Sequence, residues 1–126
     1  MNIEMQQQAI AYLRSHRDTQ LATVAGDQPM ARAMYLAWVD DDLTLWYATA
    51  RDSNKAKHIS ANPKVCVTAY DQKVVLRITA RAEFSDDIAQ KEKIWSPVFS
   101  GFFKGATDPN LVLLKVTPVN VEYWEM

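Results

Sequence analysis

The chain has 126 residues, 48% hydrophobic and 23% charged, a balance that fits one folded domain over residues 1–126 and excludes disorder. Its formal net charge of −1 offers no general attraction to nucleic acid or to an anionic membrane, so any phosphate recognition has to be local. A single cysteine, Cys66, rules out an internal disulfide. With no apolar leader and no run of transmembrane length, a cytoplasmic protein is expected; the two scattered histidines argue against a metal site.

Ile3 to Arg17 carries Met5, Ala9, Ile10 and Leu13 near one helical face and glutamines on the other, which predicts an amphipathic helix. Thr19 to Ala25 is strand-like, and Gly26-Asp27-Gln28-Pro29 predicts a turn, so the next run should return antiparallel. That run, Met30 to Val39, reads as one strand. Its alternation separates Met30, Arg32, Met34, Leu36 and Trp38 from Ala31, Ala33, Tyr35, Ala37 and Val39. Arg32 is then the one charge on a face of large apolar groups, and an unpaired buried guanidinium is costly. It should meet a carboxylate, the solvent at a sheet edge, or an anionic ligand. The alanine-rich face would let another element or a flat ligand approach the backbone.

Asp40-Asp41-Asp42 predicts a solvated turn into Leu43–Ala48, a half-buried strand. Next comes Thr49-Ala50-Arg51-Asp52-Ser53-Asn54-Lys55, running from that strand into a short helix ended by Asn62-Pro63. A helix N-terminus has unpartnered N–H groups and partial positive charge, so with hydroxyls from Thr49 and Ser53 and charge from Arg51 and Lys55 the stretch can hold an anion. It can equally be a capped helix with a solvated lysine.

Lys64 to Tyr70 predicts a further strand, Asp71-Gln72 a turn, and Lys73 to Phe84 a long strand. In that strand Val74, Leu76, Ile78, Ala80, Ala82 and Phe84 face inward, while Lys73, Arg77, Arg81 and Glu83 face outward. A strand this long in a small protein bends round a barrel. Ser85-Asp86-Asp87 caps a helix through Trp95, stopped at Ser96-Pro97; Val98–Phe103 is aromatic-rich and Gly105–Asn110 is loop. Leu111–Thr117 and Val119–Trp124 are closing strands divided by Pro118. Strands joined mainly by hairpins predict a mainly β, α+β fold: an antiparallel barrel of six to seven strands, Greek-key in type, with peripheral helices. No Gly-x-Gly-x-x-Gly or Walker sequence is present, which excludes those two phosphate-binding folds.

Several segments in order resemble the flavin mononucleotide (FMN)-binding split barrels related to pyridoxamine 5′-phosphate oxidase, in particular their general stress protein branch. They are Arg32-Ala33-Met34, Thr49 with Ser53-Asn54-Lys55, Ile59–Val65, Trp95-Ser96-Pro97, Phe102–Gly105, Asp108-Pro109, Val116-Thr117-Pro118 and Glu122-Tyr123-Trp124. The resemblance covers nearly the whole chain. It implies a homodimer with FMN sites at the subunit interface. Arg32, Ala33, Met34 and Tyr35 would run beside the ring and ribityl chain, and Ala48 and Thr49 would line the cleft. Ser53, Asn54 and Lys55 would stand at the phosphate, with Ser53 and Lys55 holding it. Trp124, with Trp95 or Phe102, would approach from the other subunit's side.

The sequence also departs from the oxidase. Asn54 stands where the oxidase has a second phosphate arginine, Ala37 where it has a lysine, and Val74 where it has a glutamine. The sequence ends at Met126 without the oxidase's arginine–histidine segment, so vitamin B6 oxidation is not expected. Three functions stay open: an FMN-dependent oxidoreductase of unknown redox partner; a non-catalytic flavin carrier or stress-linked sensor; and a split barrel that binds another ligand, such as a deazaflavin or haem, or serves only as a dimeric interaction module. No acid–base or nucleophile constellation is visible, and Cys66 is expected to be buried and inert.

Overall fold

The computed structural model describes residues 2–126. Helix α1 (Ile3–Ser15) starts at Asn2, whose side chain accepts hydrogen bonds from the Glu4 and Met5 backbone N–H groups. The strands that follow are β1 (Asp18–Ala25), β2 (Gln28–Tyr35), β3 (Trp38–Val39) and β4 (Leu45–Ala50). Helix α2 (Asn54–Ala61), β5 (Lys64–Tyr70), β6 (Val74–Ser85), α3 (Ile88–Ile94), a 3₁₀ turn at Pro97–Phe99 and β7 (Leu111–Glu125) complete the chain.

All seven strands form one antiparallel sheet in the order β2-β1-β5-β6-β7-β4-β3. Its edge strands β2 and β3 are consecutive in the chain, so the sheet curls until its two ends join through Leu36 and Ala37. Beyond that junction β2 and β4 are not paired. The fold is an α+β split barrel, and the split lies between β2 and β4.

Among the described residues seven strands are present, but several boundaries differ from the sequence expectation, β2 for one beginning at Gln28 rather than Met30. The run Met30–Val39 is broken at Leu36–Ala37 because its backbone groups find other partners. The Leu36 N–H donates to Arg17 O (2.7 Å), the Ala37 N–H donates to Trp46 O (2.9 Å), and the Arg17 guanidinium donates to the Leu36 and Ala37 carbonyls. Conversely, the two closing strands are one. Val119 is an extra residue in β7 between the pairs Thr79–Asn120 and Ala80–Pro118. Pro118 cannot donate to a ladder, and a bulge is where a sheet tolerates it. Strand β4 also begins later than Leu43, which turns the hairpin with φ 69° while burying its side chain completely. At the β1–β2 hairpin the two-residue loop places Gly26 at φ 67°, a conformation glycine adopts without strain.

The inward face predicted for β6 is buried from Val74 to Ala82, with Phe84 half-buried against the same core. The barrel interior is filled by this face, by Leu45 and Tyr47 of β4, by Leu114 and Val116 of β7, and by Ala9, Ile10, Tyr12 and Leu13 of α1. A second apolar cluster lies on the other face of β4 and β7. There Trp46, Leu111 and Leu113 meet Ile94, Phe99 and Phe103 from the segment that joins β6 to β7. Strands β4 and β7 are therefore covered on both faces, and the aromatic segment sits directly over the split. Among the described residues no helix is long and apolar enough to cross a membrane.

Candidate functional site

The split opens into a cleft of about 430 Å³, within the range of small-molecule sites. One wall is Ala33, Met34 and Tyr35 of β2, and the other is Ala48, Thr49 and Ala50 of β4. Lys55 at the start of α2 stands at one end, while Phe99, Phe102, Phe103 and Asn110 close the rest. Tyr35 meets Phe99 edge-on, with ring centroids 6.3 Å apart. Because β2 and β4 do not pair here, each presents a free strand edge to the cleft, and its backbone N–H and C=O groups can meet a polar ring rim.

A buried pair joins the two lips of the split. The Thr19 hydroxyl donates to Met34 O (2.8 Å), so it must accept from the Tyr47 hydroxyl 2.7 Å away. Burial pushes the Tyr47 hydroxyl well above its ordinary pKa, so it remains a donor. Neither residue stood out in the sequence, because a threonine and a tyrosine at strand positions read as ordinary β-formers.

The polar end of the cleft is unbalanced. Thr49 is 3% exposed, and its hydroxyl is the one buried side-chain polar atom without a partner among the described residues. Such an orphan is costly and is expected where a ligand completes the site. Lys55 meets no carboxylate among the described residues; burial, and then the nearby Arg32 guanidinium, lower its pKa. Arg32 is half-buried in the same position, and burial lowers it too. Of the three partners expected for Arg32 it has found no carboxylate. Its Nη1 donates to Leu21 O (3.1 Å) and to the Thr23 hydroxyl (2.9 Å). Two cations held side by side without a counter-charge make a candidate receptor for an anion.

Arg51 is not part of this receptor. Its guanidinium grips both oxygens of Asp86 (3.0 and 2.5 Å) and also donates to Pro109 O. The same carboxylate takes the Nζ of Lys91 at 2.9 Å, a lysine only 4% exposed. These two cations hold the Asp86 carboxyl far below the usual carboxylate range. A larger cavity of about 580 Å³ lies beside Arg51, between α2 and Phe84 and Val112. Its arginine is already satisfied and its other cation, Lys57, is exposed, so the half-buried, unpaired cations belong to the smaller cleft.

Of the residues singled out in the sequence, Ala33, Met34, Tyr35, Ala48, Thr49 and Lys55 line the cleft, and Arg32 stands beside Lys55. Ser53 is the N-cap of α2, accepting from the Ala56 N–H (3.3 Å), and its own hydroxyl proton remains available; Asn54 is exposed beside it. Trp124 does not reach this cleft. It pairs with Val75 near the far end of β7, with the Arg77 guanidinium 5.9 Å above its ring. Phe102, expected from across an interface, lines the cleft of its own chain, whereas Trp95 packs on Phe99 in the second apolar cluster. Cys66 is half-buried, and burial raises its thiol.

A family model for proteins described as "Pyridoxamine 5′-phosphate oxidase like" matches residues 4–126. The chain belongs to that family. General stress protein 26 of Bacillus subtilis (strain 168) is 30% identical over 123 residues, covering 94% of this chain and 86% of that one. The crystal structure of General Stress Protein 26 from Bacillus anthracis str. Sterne covers the whole of both chains at 26% identity and a TM-score of 0.85. A general stress FMN/FAD binding protein from Xanthomonas citri shares the fold, with a TM-score of 0.84 and 22% identity over 98% of this chain and 90% of that one.

Proposed function

We propose that this family member is an FMN-binding flavoprotein and that the cleft between β2 and β4 is its cofactor site. The observation that carries the reading is the pair of counter-charge-free cations, Arg32 and Lys55, beside the orphaned buried hydroxyl of Thr49. A phosphate monoester is dianionic near neutral pH and would satisfy all three, with the Ser53 hydroxyl and the first N–H groups of α2 as further donors. The ring would lie against the small side chains of Ala33 and Ala48, with Tyr35 and Phe99 nearby and the free strand edges bonding its polar rim. A bound flavin supplies the redox chemistry, and these residues bind it, orient it and keep water from it.

A homodimer would complete the site. Phe102 is 81% exposed at the cleft mouth, and Trp124 is exposed on a part of β7 remote from its own cleft. Trp124 of a second copy covering that mouth accounts for both. The half-buried Cys66 thiol fits a reducing, cytoplasmic setting.

The reaction class proposed is flavin-dependent oxidoreduction. A carrier role is the second reading, favoured because among the described residues no histidine, cysteine or carboxylate lines the cleft to act as acid or base. The deciding experiment is an absorbance spectrum after FMN loading and desalting, followed by NADH and NADPH turnover. Retained flavin at about one per chain that turns over supports the oxidoreductase. Retained flavin without turnover supports the carrier. Loss of all flavin defeats both.

A further inference from the structure

We propose that His58 is a positioning residue for the anion end of the cleft, acting through Thr23 on Arg32; the proposal rests on the reading of that end as a phosphate site. His58 sits one turn after Lys55 on α2. Its Nδ1 lies 3.0 Å from the Thr23 hydroxyl, which is 1% exposed and accepts from Arg32 Nη1 at 2.9 Å. A guanidinium can only donate, so the threonine oxygen is the acceptor in that bond. The single hydroxyl hydrogen is then free to donate to His58, and Nδ1 is positioned to accept that hydrogen bond. That requires a neutral ring protonated at Nε2. A proton on Nδ1 would leave the buried hydroxyl accepting twice with no acceptor for its own proton, and would set a third cation beside Arg32 and Lys55.

The consequence lies on the other edge of the guanidinium. Nη1 spends both its hydrogens, on Leu21 O and on Thr23. Nε and Nη2 have no partner among the described residues. They form the edge that grips two oxygens of a phosphate at once. Both acceptors lie on β1, and His58 of α2 holds the Thr23 hydroxyl in place, which fixes the plane of the group, so the free edge is presented in one orientation rather than many. His58 thereby links the helix carrying Lys55 to the strand carrying Arg32. A half-buried helix histidine gave no signal of this in the sequence, because its partner is thirty-five positions away on another element.

Two measurements test the relay. Nitrogen-15 NMR of the free protein should show His58 neutral with an unprotonated Nδ1, and Thr23→Val should shift that resonance; a proton on Nδ1 in the wild type overturns the proposal. Fluorescence titrations with FMN and with riboflavin should then compare His58→Phe, which keeps the bulk, with His58→Asn, whose side-chain oxygen can occupy the Nδ1 position. His58→Phe is expected to weaken FMN binding about five- to tenfold with riboflavin unchanged, and His58→Asn to restore most of it. Equal losses for both ligands, or a His58→Phe protein that binds FMN like the wild type, would show that His58 merely packs. A wild type that binds no FMN defeats the flavin reading instead, and the Nδ1 resonance alone then decides the relay.

Discussion

Two groups of cations flank the passage from β4 into α2, and they have opposite states. Arg51 and Lys91 share one carboxylate, Asp86, and with a further bond to Pro109 O they tie the aromatic segment to the end of β4. Arg32 and Lys55 share none among the described residues, and each is held below its ordinary pKa by burial. Charge in the sequence is the same in both groups. Their partners separate them: a satisfied ion-pair node fixes the wall of a site, while an unsatisfied pair stores the affinity the site can spend on an anion.

The comparison is sharpest in ligand discrimination. Lys55→Ala is expected to weaken FMN binding by about 1.5–3 kcal/mol and to leave riboflavin, which has no phosphate, nearly unaffected. Arg51→Ala should alter both ligands alike, because it loosens the wall and not the phosphate end. Parallel fluorescence titrations of the two variants measure the FMN-to-riboflavin ratio. A ratio that collapses in Arg51→Ala and not in Lys55→Ala would reverse the assignment.

Thr49→Val separates storage from stability. Removing an unpartnered buried hydroxyl should leave thermal stability of the free protein unchanged or raise it, yet weaken FMN by about 0.5–1.5 kcal/mol. Melting curves with and without FMN test both halves. At the lips of the split, Tyr47→Phe should cost about 1 kcal/mol in urea denaturation, since the Thr19 hydroxyl keeps its bond to Met34 O and loses only its donor.

The last effect concerns the node itself and is read against pH. Asp86 is depressed in the folded protein, so its stabilisation is complete above the unfolded carboxylate value, about pH 4, and is lost as the pH falls below it. The Arg51 arm is largely exposed and screened; the consequence falls mainly on buried Lys91, which loses its counter-charge. Asp86→Asn should therefore be destabilised at pH 7 and lose less than the wild type between pH 5 and 3 in urea melts. Identical acid limbs would mean that the node carries no acid-sensitive stability.

Much of this protein was legible in local pattern. The two-residue alternation of Val74 to Ala82 and a turn after Ala25 are set by neighbours a few positions away, although Gln28 and Pro29, expected in that turn, already pair in β2. The order of motifs from Arg32 to Trp124 was enough to place the chain in its family, and the cleft residues from Ala33 to Lys55 came with it. Tertiary structure alone decided the rest. It broke the strand at Leu36 because Arg17 captures its backbone, and it kept β7 whole because the bulge at Val119 accommodates Pro118. It gave Arg51 to Asp86, withheld any carboxylate from Arg32 and Lys55, left Thr49 without a partner, and joined His58 to Thr23. A sequence states which groups carry charge and hydrogen-bonding capacity; only the folded arrangement determines which remain unsatisfied, because their partners come from distant parts of the chain.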